Sequence, residues 1–507
     1  MAINQLKAGA VLNYVVLALN ALVGLVYTPF MLRMLGQSEY GLYSIAASVI
    51  AYLSMLDLGF GNAVIRYTAK FRAESNKQEQ FEMFGMFTVL YSIIGFITVL
   101  LGLWLYLNLD TLFGKSLTPI ELERAKIIYL LMVGNLAVTF PLSIYGAIIA
   151  AYEDFVFLRV VQIVRIILST LTMIVLLTIG YKAITMVIVN TVFNLAALFI
   201  NIVYCKKKIH IEIKFSRPNI PFFKEICIYS FWIFLNVIMD RIYWSTGQFI
   251  LGAVIGTVAV AVYSVALHLK MMYYSFSTGI TGVFLPRVTS MVTNGASNNQ
   301  ISEIFIRVGR IQFIIVYFIF SAFVLFGKTF IRIWAGPGYD DAYIISLLFF
   351  GSTLIPLIQN LGITILQARN DMKFRSLLIL VVSIISLLIA IPVAKLYGSV
   401  GVAAVIAAAI VIGHGILLNI YYKRQQGINI DQFWKEIIKM AIIPTIVAVL
   451  FYVVQKFIPV TSIIKLSIIG VVYTMAFMVV SYKFSMNDYE KNIFISVYRK
   501  FKYKITK

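Results

Sequence analysis

The feature that most constrains this chain is a series of uninterrupted apolar runs of about 20 residues or more. One extends from Val11 to Leu32, and another includes Ile311 to Phe326 with its flanks. A helix of about 20 residues spans the hydrocarbon core of a bilayer, whereas a membrane β-strand needs about ten residues and alternates in polarity. Only helices and closed barrels can satisfy their backbone groups in lipid. The runs therefore predict an all-α integral membrane protein.

The hydropathy pattern predicts about fourteen transmembrane helices. Composition agrees, because 61% of the 507 residues are hydrophobic and only 12% are charged. We expect the first apolar run to be the first helix rather than a signal peptide, since no cleavage site follows a short apolar core. The predicted segments are 9–32, 40–62, 83–108, 124–150, 157–180, 183–205, 223–250, 254–285, 305–327, 341–367, 374–396, 399–422, 435–456 and 461–483.

The net charge of +21 is distributed unevenly between the predicted loops. With the N-terminus placed inside, 29 of the 42 lysines and arginines fall on the inner side and 10 on the outer side. The positive-inside rule then predicts that both termini are cytoplasmic and that the protein is multi-pass in a cytoplasmic membrane. We expect attraction to anionic lipid. We expect no nucleic-acid partner, because no soluble basic domain remains.

The chain also contains a weak internal repeat, with matching segments in the same order and at a nearly constant spacing. The stretch from Leu35 to Ala46 resembles the stretch from Ile255 to Ala266, and Phe140-Pro141-Leu142 resembles Ile355-Pro356-Leu357. Asp154 falls near the position of Asp371, and Asn201–Tyr204 resembles Asn419–Tyr422. Six helices per repeat predict two parallel six-helix lobes, as in transporters that rock two lobes about a cavity. The predicted division is 1–208, 209–425 and a C-terminal part, 426–507, with helices 13 and 14 and a basic cytoplasmic tail.

The segment from Gly36 to Tyr43, followed by Leu56 to Tyr67, resembles the first two helices of polysaccharide-repeat-unit flippases. These proteins belong to the multidrug/oligosaccharidyl-lipid/polysaccharide (MOP) exporter superfamily. The resemblance implies a bacterial inner-membrane flippase, with a fold like that of multidrug (MATE) exporters and the lipid II flippase. It also implies that the substrate is an undecaprenyl-pyrophosphate-linked oligosaccharide, carrying an O-antigen, capsule or exopolysaccharide unit. The polymerase and glycosyltransferases of the same pathway are implied partners.

Cations inside predicted helices are the candidate substrate-binding residues, because a charge at the bilayer centre costs about 2.5–3.5 kcal/mol on insertion scales. Arg241 and Lys270 are predicted at similar depth on consecutive helices, where a pyrophosphate would balance both. Arg165 lies about a third of the way along its helix, and Arg66 lies at a helix end near the cytoplasmic mouth. The alternative is that Asp240 neutralises Arg241 or Lys270 as a buried structural pair.

Other polar residues in helices are candidates for coupling. His268 and His414 could titrate near neutral pH. Asp57 lies in the family-like segment beside glycines, where a local cap or an interhelical hydrogen bond is the structural alternative. Proton or sodium coupling therefore stays open. We expect no cofactor and no metal site, since zinc-type histidine pairs and phosphate-binding glycine loops are missing from the sequence.

Three other functions are weighed against the glycan flippase. A lipid II-type flippase or a cation-coupled drug exporter differs only in substrate, and cations in the cavity would repel cationic drugs and attract phosphate. A membrane glycan polymerase needs a sizeable extracytoplasmic loop, whereas the longest predicted outer segments, 109–123 and 328–340, are short. The sequence therefore favours a transporter over an enzyme.

Overall fold

The computed structural model describes residues 5–216, 220–369, 371–457 and 462–492, and within these ranges it contains helices and short turns without any strand. The predicted all-α fold is confirmed. The helices are α1 (Gln5–Leu22), α2 (Thr28–Leu53), α3 (Phe60–Ala73), α4 (Lys77–Phe113), α5 (Pro119–Ala151), α6 (Phe155–Thr178), α7 (Ala183–Tyr204), α8 (Ile220–Val254), α9 (Thr257–Thr293), α10 (Asn298–Trp334), α11 (Asp341–Ile358), α12 (Leu361–Ala368), α13 (Lys373–Ile410), α14 (Leu418–Arg424), α15 (Ile430–Phe457) and α16 (Ile463–Val480).

The described part of the chain contains ten helical stretches that are long and apolar enough to cross a membrane. Two of them, Val11–Ala73 and Lys373–Arg424, are 63 and 52 residues long. Each is long enough for two crossings of about 20 residues, and each contains a glycine with non-helical backbone angles, Gly36 or Gly398. The protein is therefore a multi-pass membrane protein, and the total of fourteen helices stays a prediction.

The chain forms two compact units. Unit 1 comprises Met1–Ser264 with Ala390–Ser399, and unit 2 comprises Val265–Ile389 with Val400–Lys507. These units are defined by spatial proximity, whereas the predicted division at residues 208 and 425 follows the sequence repeat and stays a prediction.

Local geometry repeats along the chain at the turns that glycine permits. Gly36 and Gly256, which occupy matching positions in the sequence repeat, have φ angles of 77° and 126°. Gly180 and Gly398, related by nearly the same shift along the chain, have φ angles of 102° and 60°. Residues with a Cβ rarely adopt positive φ, so the same chemical requirement recurs at matching turns. The sequence repeat thus corresponds to repeated local structure.

A tyrosine–aspartate contact also repeats. The Tyr204 hydroxyl donates to Asp154 at 2.9 Å, and the Tyr421 hydroxyl donates to Asp371 at 2.6 Å. Each tyrosine ring stacks on the phenylalanine three residues after its aspartate, with centroids 3.6 and 4.2 Å apart. Both contacts join residues 50 positions apart. By these contacts Tyr204 corresponds to Tyr421 in the repeat. The sequence match of Asn201–Tyr204 with Asn419–Tyr422 instead aligns Tyr204 with Tyr422.

The family-like segment beginning at Gly36 forms a tight junction within unit 1. The buried Glu39 carboxylate accepts hydrogen bonds from Arg124 and from the backbone nitrogen of Ala183, the latter at 3.2 Å. Two residues on, a Cβ on Gly41 would lie 2.1 Å from the carbonyl oxygen of Thr257. No side chain fits at that distance, so glycine lets α2 approach the start of α9 closely. Glu39 therefore has an interhelical structural role.

In unit 2 the helices α15 and α16 pack on α10 through a cluster of aromatic side chains. Phe326, Tyr473 and Phe477 are buried there together with Val447. The Tyr473 and Ser321 hydroxyls form a hydrogen bond of 2.6 Å, which satisfies both groups away from water. The C-terminal helices are thus a packed part of unit 2.

Candidate substrate-binding cavity

Unit 1 contains a cavity of about 400 Å³ between α2, α5, α7 and α8, with apolar side chains and a group of polar ones in its lining. Its volume lies within the usual range of ligand pockets, about 300–1,000 Å³. Among the described residues that line it there is no aspartate or glutamate, and one arginine, Arg241, lines it from α8. The neutral polar lining side chains include Tyr43, Asn135, Thr139, Asn190, Thr191 and Asn194.

Helical spacing explains why several polar side chains face the cavity together. Asn135 and Thr139 are four residues apart on α5, and Asn190 and Asn194 are four residues apart on α7. Residues at i and i+4 lie on the same face of a helix. Because α5 packs against α7, the two polar pairs meet at one wall inside a membrane-spanning bundle.

Arg165 on α6 joins this wall. Its Nη1 donates to Asn194 Oδ1 at 3.1 Å. Asn194 Nδ2 in turn donates to Asn135 Oδ1 at 3.0 Å and to Thr139 Oγ1 at 2.8 Å. Arg165 is therefore anchored within the bundle through an asparagine, and no ion pair holds it among the described residues. We call Arg165, Asn194, Asn135 and Thr139 the asparagine wall.

Arg241 has neither a hydrogen-bond partner nor an ion-pair partner among the residues that the structure describes. The side chain of Asp240, the suggested neutralising partner, lies outside the described residues. A charge at the bilayer centre costs about 2.5–3.5 kcal/mol to insert, and a guanidinium binds phosphate or carboxylate in bidentate geometry. The cavity therefore contains a cation for which the described side chains provide no counter-charge.

The other predicted cations and histidines have different surroundings. Lys270, on α9 in unit 2, is 2% exposed, and its Nζ lies 4.5 Å from the centre of the Phe349 ring. His268, also in unit 2, stacks on Trp334 with ring centres 6.3 Å apart. His414 lies in a π-helical turn of unit 2, Val411–Leu417. None of the three lines the cavity of unit 1.

The two predicted residues near the start of α3 also lie outside the cavity lining. Arg66 is exposed, with its guanidinium carbon 5.6 Å from the centre of the neighbouring Tyr67 ring. Asp57 accepts a hydrogen bond of 3.0 Å from the Tyr91 hydroxyl. The contact is the interhelical hydrogen bond that was the structural alternative for this carboxylate.

Sequence reasoning missed the asparagines and the tyrosine of the cavity. The sequence criterion was a charged residue inside a predicted helix, which selects Arg241 and Arg165 but not neutral amides. A detectable signal was present, because amide or hydroxyl residues recur four positions apart inside two apolar runs, as Asn135/Thr139 and Asn190/Asn194. Such a pattern places polar groups on one helix face in lipid, where they need a partner.

The sequence profile of a family described as polysaccharide biosynthesis protein matches residues 6–292, more than half of the chain. The chain belongs to this polysaccharide biosynthesis family. It is 24% identical over 412 residues to the "Putative O-antigen transporter" of Escherichia coli strain K12. That alignment covers 80% of this chain and 94% of the relative.

Solved structures share the fold. The lipid II flippase MurJ in an inward closed conformation matches with a TM-score of 0.70 and 15% identity, covering 94% of this chain and 98% of MurJ. An inward-facing multidrug resistance MATE family transporter of the MOP superfamily matches with a TM-score of 0.56 and 15% identity, covering 82% and 99%. The predicted polysaccharide family is confirmed by the family model, and the predicted MATE-like and MurJ-like architecture is confirmed for the fold.

Proposed function

We propose that this polysaccharide biosynthesis family member moves a polyprenyl-pyrophosphate-linked oligosaccharide from the inner to the outer leaflet of a bacterial cytoplasmic membrane by alternating access. Three findings support the proposal: the family, a relative named as an O-antigen transporter, and a fold shared with a lipid II flippase. The glycan would be an O-antigen, capsule or exopolysaccharide unit. Both termini would be cytoplasmic, and polymerase and glycosyltransferases of the pathway would act beside it.

One observation carries the proposal. Arg241 lines a cavity whose described lining residues include no carboxylate, and no described side chain pairs with it. A pyrophosphate supplies the charge and the acceptor oxygens that this site lacks, and charge-assisted hydrogen bonds of this kind are about twice as strong as neutral ones. Lys270 is proposed as a second cation and Arg66 as a contact at the cytoplasmic entrance, on the sequence argument given above.

The same observation separates the alternatives. A cation-coupled drug exporter shares the fold, but Arg241 and Arg165 would repel a cationic drug. A lipid II-type flippase shares both the fold and the charge, so the choice between them depends on the sugar. A glycan polymerase would need catalytic groups, whereas the cavity offers amides, hydroxyls and a guanidinium as binding groups.

Export of glycan in cells that depend on this protein tests the role of Arg241. We expect Arg241→Ala to reduce export at least tenfold, because a hydrogen bond to a charged group contributes about 1.5–3 kcal/mol. Arg241→Lys should retain part of the activity, since the charge remains but the planar fork is lost. The measurement is surface glycan per molecule of protein in the membrane.

A matched control is Arg332→Ala, because Arg332 is exposed and paired with Asp340 at 2.7 Å. This variant should export at the wild-type level. Normal export by Arg241→Ala at normal abundance would exclude a substrate role for Arg241. Normal export by a strain that lacks the protein would refute the proposed function itself.

A further inference from the structure

The asparagine wall has a fixed direction of hydrogen bonding. A guanidinium has donors only, so the Asn194 atom that meets Arg165 at 3.1 Å must be the oxygen. The Asn194 nitrogen must then point the other way, where it donates to Asn135 Oδ1 and Thr139 Oγ1. The Thr139 hydroxyl donates to the backbone oxygen of Asn135 at 2.7 Å, which leaves its own oxygen free to accept. Arg165 thus sets the orientation of each amide after it.

The consequence falls on Asn135. Its side-chain oxygen accepts from Asn194, so its amide nitrogen is the group left over, and within the described ranges that nitrogen has no acceptor. A primary amide nitrogen carries two donor hydrogens. The wall therefore ends in a donor at a residue that lines the cavity, and this donor requires an acceptor oxygen from a ligand or water.

Three further polar groups in the cavity also have no hydrogen-bond partner among the described residues. The Thr191 hydroxyl is buried and has no hydrogen-bond partner among the described residues. The side chains of Asn190 and Tyr43 line the cavity, and neither has a hydrogen bond to another described residue. Buried polar groups in native proteins are normally hydrogen-bonded; this applies to the Thr191 hydroxyl, whereas Tyr43 is half-buried and Asn190 is exposed. A network that only held helices together would be satisfied internally, whereas this one offers its unused donors and acceptors to the cavity.

We propose that the cavity is a subsite for the sugar attached directly to the pyrophosphate, and that Asn135 donates to an acceptor oxygen of that sugar. This inference rests on the proposed function. Arg241 lines the same cavity and would bind the pyrophosphate, which places the first sugar against the asparagine wall. A volume of about 400 Å³ accommodates this linkage and part of a glycan rather than a whole repeat unit.

Arg165 is then a positioning residue for specificity. It orients the Asn194 amide, and through it the Asn135 donor, without contacting the sugar. A site built to bond a ligand oxygen rejects the analogue that lacks it, because the site's own polar groups are left unpaired. The acceptor oxygen is either a ring hydroxyl or the carbonyl of an acylated amino group, and two lipid probes can distinguish these sources.

The experiment measures binding to the full-length protein in nanodiscs. The three probes are bare undecaprenyl pyrophosphate, the same lipid carrying one hexose, and the same lipid carrying one 2-acetamido hexose. For the wild type we expect at least one sugar lipid to bind about tenfold more tightly than the bare lipid, which corresponds to about 1.4 kcal/mol. The sugar with the greater preference identifies the acceptor.

The variants test the wall. Asn135→Leu should reduce the preference for the sugar lipid to below threefold. Arg165→Met should do the same, and Arg165→Lys should restore the preference because it returns a donor to Asn194. The ratio of the two affinities cancels the loss of charge that Arg165→Met brings to both lipids. The matched control is Asn108→Leu, since Asn108 is half-buried on α4, lies outside the cavity lining and bonds only its own helix at Trp104.

The outcomes separate the two proposals. If the wild type binds the two sugar lipids no more tightly than the bare lipid, or if Asn135→Leu keeps the full preference, the sugar subsite is refuted while the flippase function stands. If the wild type binds none of the three lipids, the proposed function fails and the subsite with it. Should Asn135→Leu fail to fold, Asn190→Leu replaces it, because the Asn190 amide has no hydrogen bond to a described residue. Unchanged preference in Asn190→Leu would likewise refute the subsite.

Discussion

Two arginines in this protein show opposite solutions to the same physical problem. Arg310, about a third of the way along α10 in unit 2, is 6% exposed and contacts two carboxylates. Glu490 accepts from it at 2.6 and 3.1 Å, Glu436 accepts at 2.7 Å, and the Ser485 carbonyl accepts at 3.1 Å. Arg241 in unit 1 lines an open cavity, and the described part of the chain provides it with no such partner. The first arginine is satisfied by the fold, whereas the second has no counter-charge among the described side chains.

The partners of Arg310 explain what it does. Glu436 lies near the start of α15, and Glu490 follows α16, so one guanidinium ties both C-terminal helices to α10. All its strong acceptors are protein atoms, which leaves little capacity for a substrate. The comparison teaches that a cation within a membrane helix is not by itself a site. Its function follows from whether the protein supplies the counter-charge.

Neutral polar groups show the same contrast. In unit 2, Gln312 is fully buried, and in the orientation that satisfies its amide it accepts from Ser277 and Thr281 at 2.9 and 2.8 Å. Its nitrogen then donates to the carbonyls of Leu357 and Ile358, both at 3.2 Å. These carbonyls are freed where the helix ends just after Pro356. The amide therefore closes a helix break, whereas the asparagine wall of unit 1 leaves donors for the cavity.

The largest effect on stability is expected when Arg310 is replaced. Arg310→Met should lower the free energy of unfolding by about 3–5 kcal/mol, because removing one partner leaves buried carboxylates without their counter-charge. Thermal unfolding of the purified protein in detergent is the measurement. Arg307→Met, at an exposed i,i+4 pair with Glu303 on the same helix, should change stability by about 0.5 kcal/mol at most. Equal stability of the two variants would contradict this structural role of Arg310.

An intermediate effect is expected at the helix break. Gln312→Leu should destabilise the protein by about 1–3 kcal/mol, the penalty for leaving buried polar groups without a partner. The same unfolding measurement applies. The control is Gln78→Leu, because Gln78 is exposed and bonds only Glu82. A stable Gln312→Leu variant would mean that water or Ser277 alone satisfies the freed carbonyls.

The two prolines show what the sequence does not predict. Pro141 and Pro356 occupy matching places in the repeat, yet α5 continues through Pro141 to Ala151 and α11 ends two residues after Pro356. The difference depends on neighbours. Gln312, whose amide nitrogen donates to the carbonyls of Leu357 and Ile358 at 3.2 Å, is contributed by α10 and is far from Pro356 in sequence.

The helices, the repeat and the candidate charges could be predicted because hydropathy, glycine and insertion cost are local properties. The partners could not. Arg310 was counted only among the 29 inner basic residues that set topology. Its acceptors Glu436 and Glu490 lie 126 and 180 residues away in sequence. The cavity was missed for the same reason, because Asn135 and Asn194 are 59 residues apart and meet only when α5 packs on α7.

The smallest effect on stability is expected for Arg241→Met, the counterpart of Arg310→Met. This substitution is also the most direct test of the comparison between the two arginines. Arg241→Met should change the free energy of unfolding by about 0.5 kcal/mol at most, the usual range for a site without buried partners. Export of glycan should nevertheless fall at least tenfold, as for Arg241→Ala. The two readouts together separate a ligand-binding charge from a structural one. If Arg241→Met instead destabilised the protein by several kcal/mol, as Arg310→Met should, then Arg241 would have a protein counter-charge, and Asp240 would be the first residue to test.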